Sequence, residues 1–149
     1  MSHELLIPGC NTVWLTRNSG CPAVNAVALG FQPNAGPLYS AVADTPVGRI
    51  PGKAKDNTCW YSLNGREECT DQFWWVCSPS KVSSYRGNFP KNPITGGYQH
   101  DGTGIYYLVV ADTPYGTIPG KIRPGSNQCS YAYGGREETS SQFSYVVLK

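Results

Sequence analysis

Residues 43–53 read Ala-Asp-Thr-Pro-Val-Gly-Arg-Ile-Pro-Gly-Lys, and residues 111–121 read Ala-Asp-Thr-Pro-Tyr-Gly-Thr-Ile-Pro-Gly-Lys. Nine of these eleven positions are identical. A second shared block follows each copy: Cys59-Trp-Tyr-Ser-Leu-Asn-Gly-Arg-Glu-Glu68 matches Cys129-Ser-Tyr-Ala-Tyr-Gly-Gly-Arg-Glu-Glu138. A third precedes it: Asn25-Ala-Val-Ala-Leu-Gly-Phe-Gln32 resembles Asn92-Pro-Ile-Thr-Gly-Gly-Tyr-Gln99. The offset between copies drifts from 67 to 70 residues, so the length changes fall between blocks, where loops join fixed strands. One supersecondary unit is therefore present twice. It spans 22–77 and 90–149, with an N-terminal extension over 1–21 and a polar connector over 78–89.

Short runs rich in Val, Tyr, Trp and Phe, bounded by Gly, Pro and Asn, predict an all-β fold. Strands are expected over 24–31, 37–43, 58–63 and 71–77, then 92–98, 104–111, 128–133 and 141–148, with one more around Thr12–Thr16. No segment sustains a 3.6-residue period, so essentially no helix is expected. Phe73-Trp-Trp-Val-Cys77 is apolar on both strand faces, as a strand between two layers must be. Each half alone offers too few strands for a core, which predicts two intertwined or packed repeats in a pseudo-twofold β-sandwich.

The composition excludes several classes of function. The 149 residues are 40% hydrophobic and 15% charged, which rules out a disordered chain. A net charge of +2 gives no strong field for nucleic acid or an acidic membrane. The stretch Ile105–Ala111 is far too short to span a bilayer, and the first residues lack a signal peptide. A cytoplasmic or non-classically secreted protein follows as an expectation. Six cysteines invite disulfides, and Cys10–Cys21 would close a short loop, but without a signal peptide reduced thiols are expected. Cys59 and Cys129, at equivalent strand positions, read as small core residues. No metal or cofactor is expected: there is no Cys-x-x-Cys, His3 and His100 do not cluster, and no calcium-loop spacing occurs. Enzyme readings lack support, because no nucleophile repeats beside His100-Asp101, and Glu67 and Glu68 point to opposite sides of a strand.

The blocks Gly-x-x-x-(Asp/Asn), Ile-Pro-Gly-Lys and Cys-x-Tyr-x-x-x-Gly-x-Glu resemble the DM-nine repeat family over most of the chain. That family includes tandem-repeat mannose-binding lectins of bivalves and the lectin-like front half of natterin toxins. The resemblance implies a metal-independent, mannose-type lectin of innate glycan recognition. A toxin is disfavoured, since no membrane-inserting domain follows Lys149. The alternative is a non-catalytic scaffold of a cell surface or tegument. The resemblance also assigns the sugar contacts: Asp101 and Lys121 in the second repeat, and Lys53 in the first, where Asn34 stands in place of the acid.

Such a pair makes chemical sense. A carboxylate accepts and an ammonium donates, so a fixed pair grips adjacent sugar hydroxyls with charge-assisted bonds. The plain alternative is that Pro-Gly is only a hairpin corner, with Lys53 and Lys121 as solvated tips. Asp44 and Asp112 read as turn caps, and Arg66-Glu67-Glu68 with Arg136-Glu137-Glu138 as structural ion pairs or turns. The four tryptophans read as mostly core, with room for one to stack on a sugar. Weak single sites favour multivalency, so a homodimer is expected, glued by strands such as Phe73–Cys77 and Ser144–Val147 or by the N-terminal extension.

Overall fold

The computed structural model describes residues 3–5, 13–78, 82–85, 89–90 and 93–148, with side chains over 13–78, 89–90 and 93–147. Fifteen strands and no helix are found among these residues. The first repeat and its lead-in contain β1 (His3–Leu5), β2 (Trp14–Arg17), β3 (Gly30–Gln32), β4 (Gly36–Thr45), β5 (Gly48–Lys55), β6 (Thr58–Leu63), β7 (Arg66–Thr70) and β8 (Phe73–Cys77). The connector and second repeat contain β9 (Val82–Tyr85), β10 (Thr95–Gln99), β11 (Ile105–Thr113), β12 (Gly116–Ile122), β13 (Cys129–Tyr133), β14 (Arg136–Ser140) and β15 (Phe143–Leu148).

The two repeats are intertwined by a reciprocal strand exchange. β3 leaves its own repeat's β5 and pairs β12, Phe31 opposite Thr117. β10 does the converse, with Tyr98 opposite Arg49 on β5. The antiparallel ladder also closes on itself in a barrel-like arrangement, because β4 pairs β5 and β11 pairs β12. Glycine makes the crossings possible. A Cβ on Gly48 would lie 2.2 Å from the Tyr98 carbonyl oxygen, and one on Gly116 2.3 Å from that of Phe31. Both glycines hold positive φ, at 142° and 130°, where side chains are strained.

The stretch that defines the repeat is not a corner but a whole hairpin arm. The turn falls at Pro46-Val47 and Pro114-Tyr115, and Ile-Pro-Gly-Lys runs inside β5 and β12. Proline is tolerated there because Pro51 sits between the end of the β10 pairing at Arg49 and the start of the β6 pairing at Lys53. Its missing N–H faces a gap between partners. The residue that ties the turn is the threonine of Asp-Thr-Pro, not the aspartate. Thr45 Oγ1 donates to Gly48 O at 2.7 Å and accepts from Val47 N at 3.2 Å, and Thr113 repeats this with Gly116 and Tyr115. Asp44 instead pairs with Arg17 at 2.9 Å.

Alternation of the strands feeds three apolar clusters. Ala41 and Ala43 on β4 face one cluster with Phe73, Trp75 and Cys59. Val42, between them, faces a central cluster with its counterpart Val110 and with Val76, Val146 and Leu108. Val109 and Ala111 face the third, with Ile118 and Cys129. The central cluster draws on both repeats and on Val13 and Leu15 of the N-terminal extension. Burying each of its aliphatic side chains stabilises the chain by roughly 1.5–3 kcal/mol, which ties the halves into one body. β8 carries apolar residues on both faces, as its sequence requires: Phe73, Trp75 and Cys77 face the first cluster and Val76 the central one.

Several sequence expectations change. The run 24–31 forms a strand only from Gly30, and Ala26 makes a single bridge to Cys77. The Arg-Glu-Glu blocks, expected as structural ion pairs or turns, form strands β7 and β14 and carry ion pairs. The polar 78–89 segment contains β9, which pairs β15 as β2 pairs β8, so it mirrors the N-terminal extension. β8 lies between β2 and β4, and β15 between β11 and β9, so neither strand suggested as dimer glue has a free edge. The ladder ends at β1 and β9. Cys21, Cys59, Cys69, Cys77 and Cys129 are free thiols, while Cys10 lies outside the described residues. Burial pushes the Cys129 thiol up to about 12.

Candidate functional site

Lys121 and Lys53 occupy the position in β12 and β5 just past the proline gap. There the strand regains its neighbour: Lys121 lies opposite Ser130, and Lys53 opposite Trp60. Neither lysine is a solvated tip. Their relative exposures are 5% and 7%. A buried ammonium needs a counter-charge and hydrogen-bond acceptors, and each lysine finds them in the Arg-Glu-Glu block. Lys121 Nζ lies 3.2 Å from Glu137 Oε2, and Lys53 Nζ 3.6 Å from Glu67 Oε2. Glu137 and Glu67 are the second residues of five-residue strands, so their flanking residues turn the other way and pair with each other: Arg136 with Glu138 at 3.6 Å and Arg66 with Glu68 at 3.7 Å.

Each pair is completed by the opposite repeat. The Asn64-Gly65 turn, with φ of 53° and 85°, and the Gly134-Gly135 turn, at 63° and 84°, are tight hairpin turns. Gly65 N donates to Glu137 Oε1 and Gly135 N to Glu67 Oε1, both at 3.0 Å. The backbone answers in kind, Glu137 N to Gly65 O at 3.0 Å and Glu67 N to Gly135 O at 3.1 Å. Lys121 Nζ also donates to the Ser62 carbonyl. Burial pushes the Lys121 ammonium below its ordinary 10.5, more strongly than Glu137 pulls it up. Burial likewise lowers Lys53 against the pull of Glu67. For Glu137, burial acts upward, but Lys121, the Gly65 N–H and the Ser62 hydroxyl together hold the carboxyl below its ordinary 4.5.

Two cavities open over these pairs. The Lys121 cavity, about 400 Å³, is lined by Gln99, Tyr106, Arg123, Ser130 and Glu137 of its own repeat and by Leu63 and Asn64 of the other. Arg123 organises its mouth: it donates to Gln99 Oε1, to Tyr106 Oη at 3.0 Å and to Thr103 O and Oγ1 at 2.9 Å. Its guanidinium lies 4.4 Å from the Tyr106 ring centroid, a cation–π contact. The Lys53 cavity is about 200 Å³ and lined in part by Leu38, Lys55, Trp60 and Glu67, with Tyr133 and Gly134 from the opposite repeat. Bulk accounts for the difference in size, since Trp60 and Tyr133 stand where the other cavity has Ser130 and Leu63.

Of the four residues expected from sequence, two line the cavities and two lie outside the lining. Lys121 and Lys53 form the floors. Asp101 is exposed and does not line the Lys121 cavity; its Oδ1 accepts from Thr103 N at 3.0 Å and from Thr103 Oγ1 at 2.7 Å. Those bonds, led by the threonine hydroxyl, hold its carboxyl below the ordinary value, and Arg123 adds to the effect. Asp101 thus reaches the cavity through the Thr103–Arg123 network. Asn34 is equally exposed and linked inward: its Oδ1 accepts from Gln32 Nε2 at 3.3 Å, and Gln32 Oε1 accepts from Lys53 Nζ at 3.2 Å. Sequence reasoning placed Glu137 and Glu67 in structural ion pairs or turns without their lysine partners, and missed Gln99, Arg123 and the crossing of the turns. Their signal was present, since Arg-Glu-Glu repeats behind Asn-Gly and Gly-Gly, both strong hairpin signals. Of the tryptophans, Trp75 is fully buried, whereas Trp60 lines a cavity. Among the described residues no group of three His, Cys, Asp or Glu could hold a metal ion.

These features define a tandem-repeat, strand-exchanged all-β protein with two related pockets. The chain belongs to the DM9 repeat family, whose model matches residues 49–140. Among solved structures it resembles the nematode sperm cell motility protein MFP2B, with a TM-score of 0.68 at 14% sequence identity. The match covers 98% of this chain and 48% of that one, so the chain spans about half the length of that protein. At this identity the likeness is one of fold. No curated protein matches the sequence.

Proposed function

We propose that the protein is a metal-independent, non-catalytic lectin whose Lys121 cavity takes a neutral hexose of the mannose type. The observation that carries this reading is the buried Lys121–Glu137 pair at the floor of a cavity whose mouth is ringed by Gln99, Arg123 and Ser130. Adjacent sugar hydroxyls both donate and accept. An ammonium beside a carboxylate answers both needs at fixed spacing, and its rigidity limits the ordering cost of binding. Asp101, linked to the cavity through Thr103 and Arg123, adds an acceptor for a second hydroxyl of a ligand that extends beyond the lining. The chain's membership of a family with lectin members agrees with this chemistry.

Two cavities on one chain offer two sites, and the expected homodimer would double them, raising avidity on a mannose-bearing surface without new contacts. The competing reading is a structural protein, favoured by the fold's likeness to a motility protein. Calorimetric titration with methyl α-mannoside decides between them. The lectin reading expects saturable binding that survives EDTA and is lost in Lys121→Ala. Absence of binding to mannosides and across a glycan array would leave the structural reading. Light scattering gives the oligomeric state, and a strict monomer that still binds mannan would remove the dimer alone.

A further inference from the structure

The two cavities do not balance charge alike. In the second, Lys121 and Arg123 are met by Glu137 at the floor and by Asp101 beside the Arg123 network. In the first, Lys53 and Lys55 are met by Glu67 alone, because Asn34 replaces the acid. Lys55 Nζ donates to the Ala35 carbonyl, and among the described residues no carboxylate pairs with it. An ammonium has three donors, so two remain for a ligand. Asn34 accepts from the cavity-lining Gln32 through its oxygen and precedes the cavity-lining Ala35, which leaves its amide NH₂ as a further donor beside the cavity.

The walls differ as well. Trp60 flanks Lys53 across the strand pair, and the Tyr133 ring centroid lies 5.2 Å from Lys53 Nζ. Tyr133 is held by Tyr115, stacked at 3.8 Å with an 8° interplanar angle. The second cavity has Ser130 and Leu63 at these places. A rigid aromatic wall suits the apolar face of a pyranose ring, and an excess cation at the rim suits an anion.

We infer that the Lys53 cavity takes an acidic sugar, one bearing a carboxylate, while the Lys121 cavity takes the neutral hexose. The ring packs against Trp60 and Tyr133, and the carboxylate accepts from Lys55 and the Asn34 amide. The inference rests on reading both cavities as sugar sites. On this account Asn34 is a specificity-determining residue: an aspartate there would repel the ligand's carboxylate.

The test uses the ¹⁵N-labelled full chain, titrated with methyl β-glucuronide and with methyl β-glucoside, which differ in a carboxylate against a hydroxymethyl group. The Trp60 indole and Gly134 amide report on the first cavity. The glucuronide should bind there on the order of fivefold tighter, the gain of a charge-assisted over a neutral bond. That preference should shrink with added salt and vanish in Lys55→Gln and in Asn34→Asp. Equal affinity for the two glycosides, or a preference that persists in Lys55→Gln, would overturn the assignment. Methyl α-mannoside in the same series, read at Gln99 and Arg123, keeps the two ideas apart. If it binds there while the glucuronide gains nothing at Trp60, the acidic-sugar site falls and the lectin stands. If no glycoside moves any of these signals, both fall.

Discussion

The Lys121 and Lys53 cavities are two outcomes of one frame. Each has a lysine past a proline gap, a glutamate held by the other repeat's turn, and a glutamine on an exchanged strand. What differs is the lining: Tyr106 against Leu38, Ser130 against Trp60, Leu63 against Tyr133, Arg123 against Lys55, Asp101 against Asn34. The second cavity is larger, polar and charge-balanced. The first is smaller, aromatic-walled and carries an uncompensated cation. On the proposed reading, the exchange and the clasped turns set where a sugar would sit, while the side chains lining each cavity set which sugar it would be.

The largest expected effect comes from breaking the frame that the cavities share. Gly116→Val would set a β-branched side chain at positive φ against the Phe31 carbonyl. Backbone strain and overpacking together should cost about 4 kcal/mol, read as a lower midpoint in urea. Because β3 would lose its seat on β12, the first repeat should loosen as well, and amide exchange at Phe31 would report it.

Next come the clasped glutamates. Glu137→Gln leaves Lys121 buried without its counter-charge, at a cost of about 3 kcal/mol. Glu67→Gln should cost about half as much, because the Lys53 pair is longer and Gln32 shares the ammonium. Equal losses in urea unfolding would contradict the asymmetry between the cavities.

The pH dependence separates binding from stability. The Lys121 ammonium titrates below 10.5 in the folded chain, so between its folded value and 10.5 the unfolded chain holds more protons and stability rises with pH. Over that same window the neutral amine loses the charge that grips a hydroxyl, and mannoside affinity should fall. At the acid end, Glu137 contributes stability that is present above 4.5 and lost as pH falls through its lower folded value. Calorimetry and thermal unfolding at matched pH would show the two curves diverging on the alkaline side.

Much of this was legible in the sequence, because repetition and alternation are local. The duplicated blocks announce two equivalent units, and Phe73–Cys77 declares a strand buried on both faces. The exchange was not legible: nothing in Gly30-Phe-Gln32 says which β-strand partner it will choose, since pairing is settled by non-local packing. Ile-Pro-Gly-Lys was ambiguous for a related reason. Proline and glycine there serve a gap between partners and a close approach, which look like a turn until the partners are known. The lysines stood out by repetition, but their glutamates lie on strands too short to display a period.

A smaller effect is expected at the rim. Asp101→Ala should weaken mannoside binding several-fold, since its carboxylate acts from outside the cavity, through the Thr103–Arg123 network, and its charge is lost. Asn34→Asp should bring the first cavity closer to the second and give a comparable gain in its mannoside affinity by calorimetry.

The central claim is that the sugar site of the second repeat is completed by the first. Mapping amide shifts on titration with methyl α-mannoside tests it most directly. The account predicts that Asn64 and Gly65 move together with Gln99, Arg123 and Glu137, at one common affinity. Shifts confined to residues 93–148, or centred away from Lys121, would contradict it.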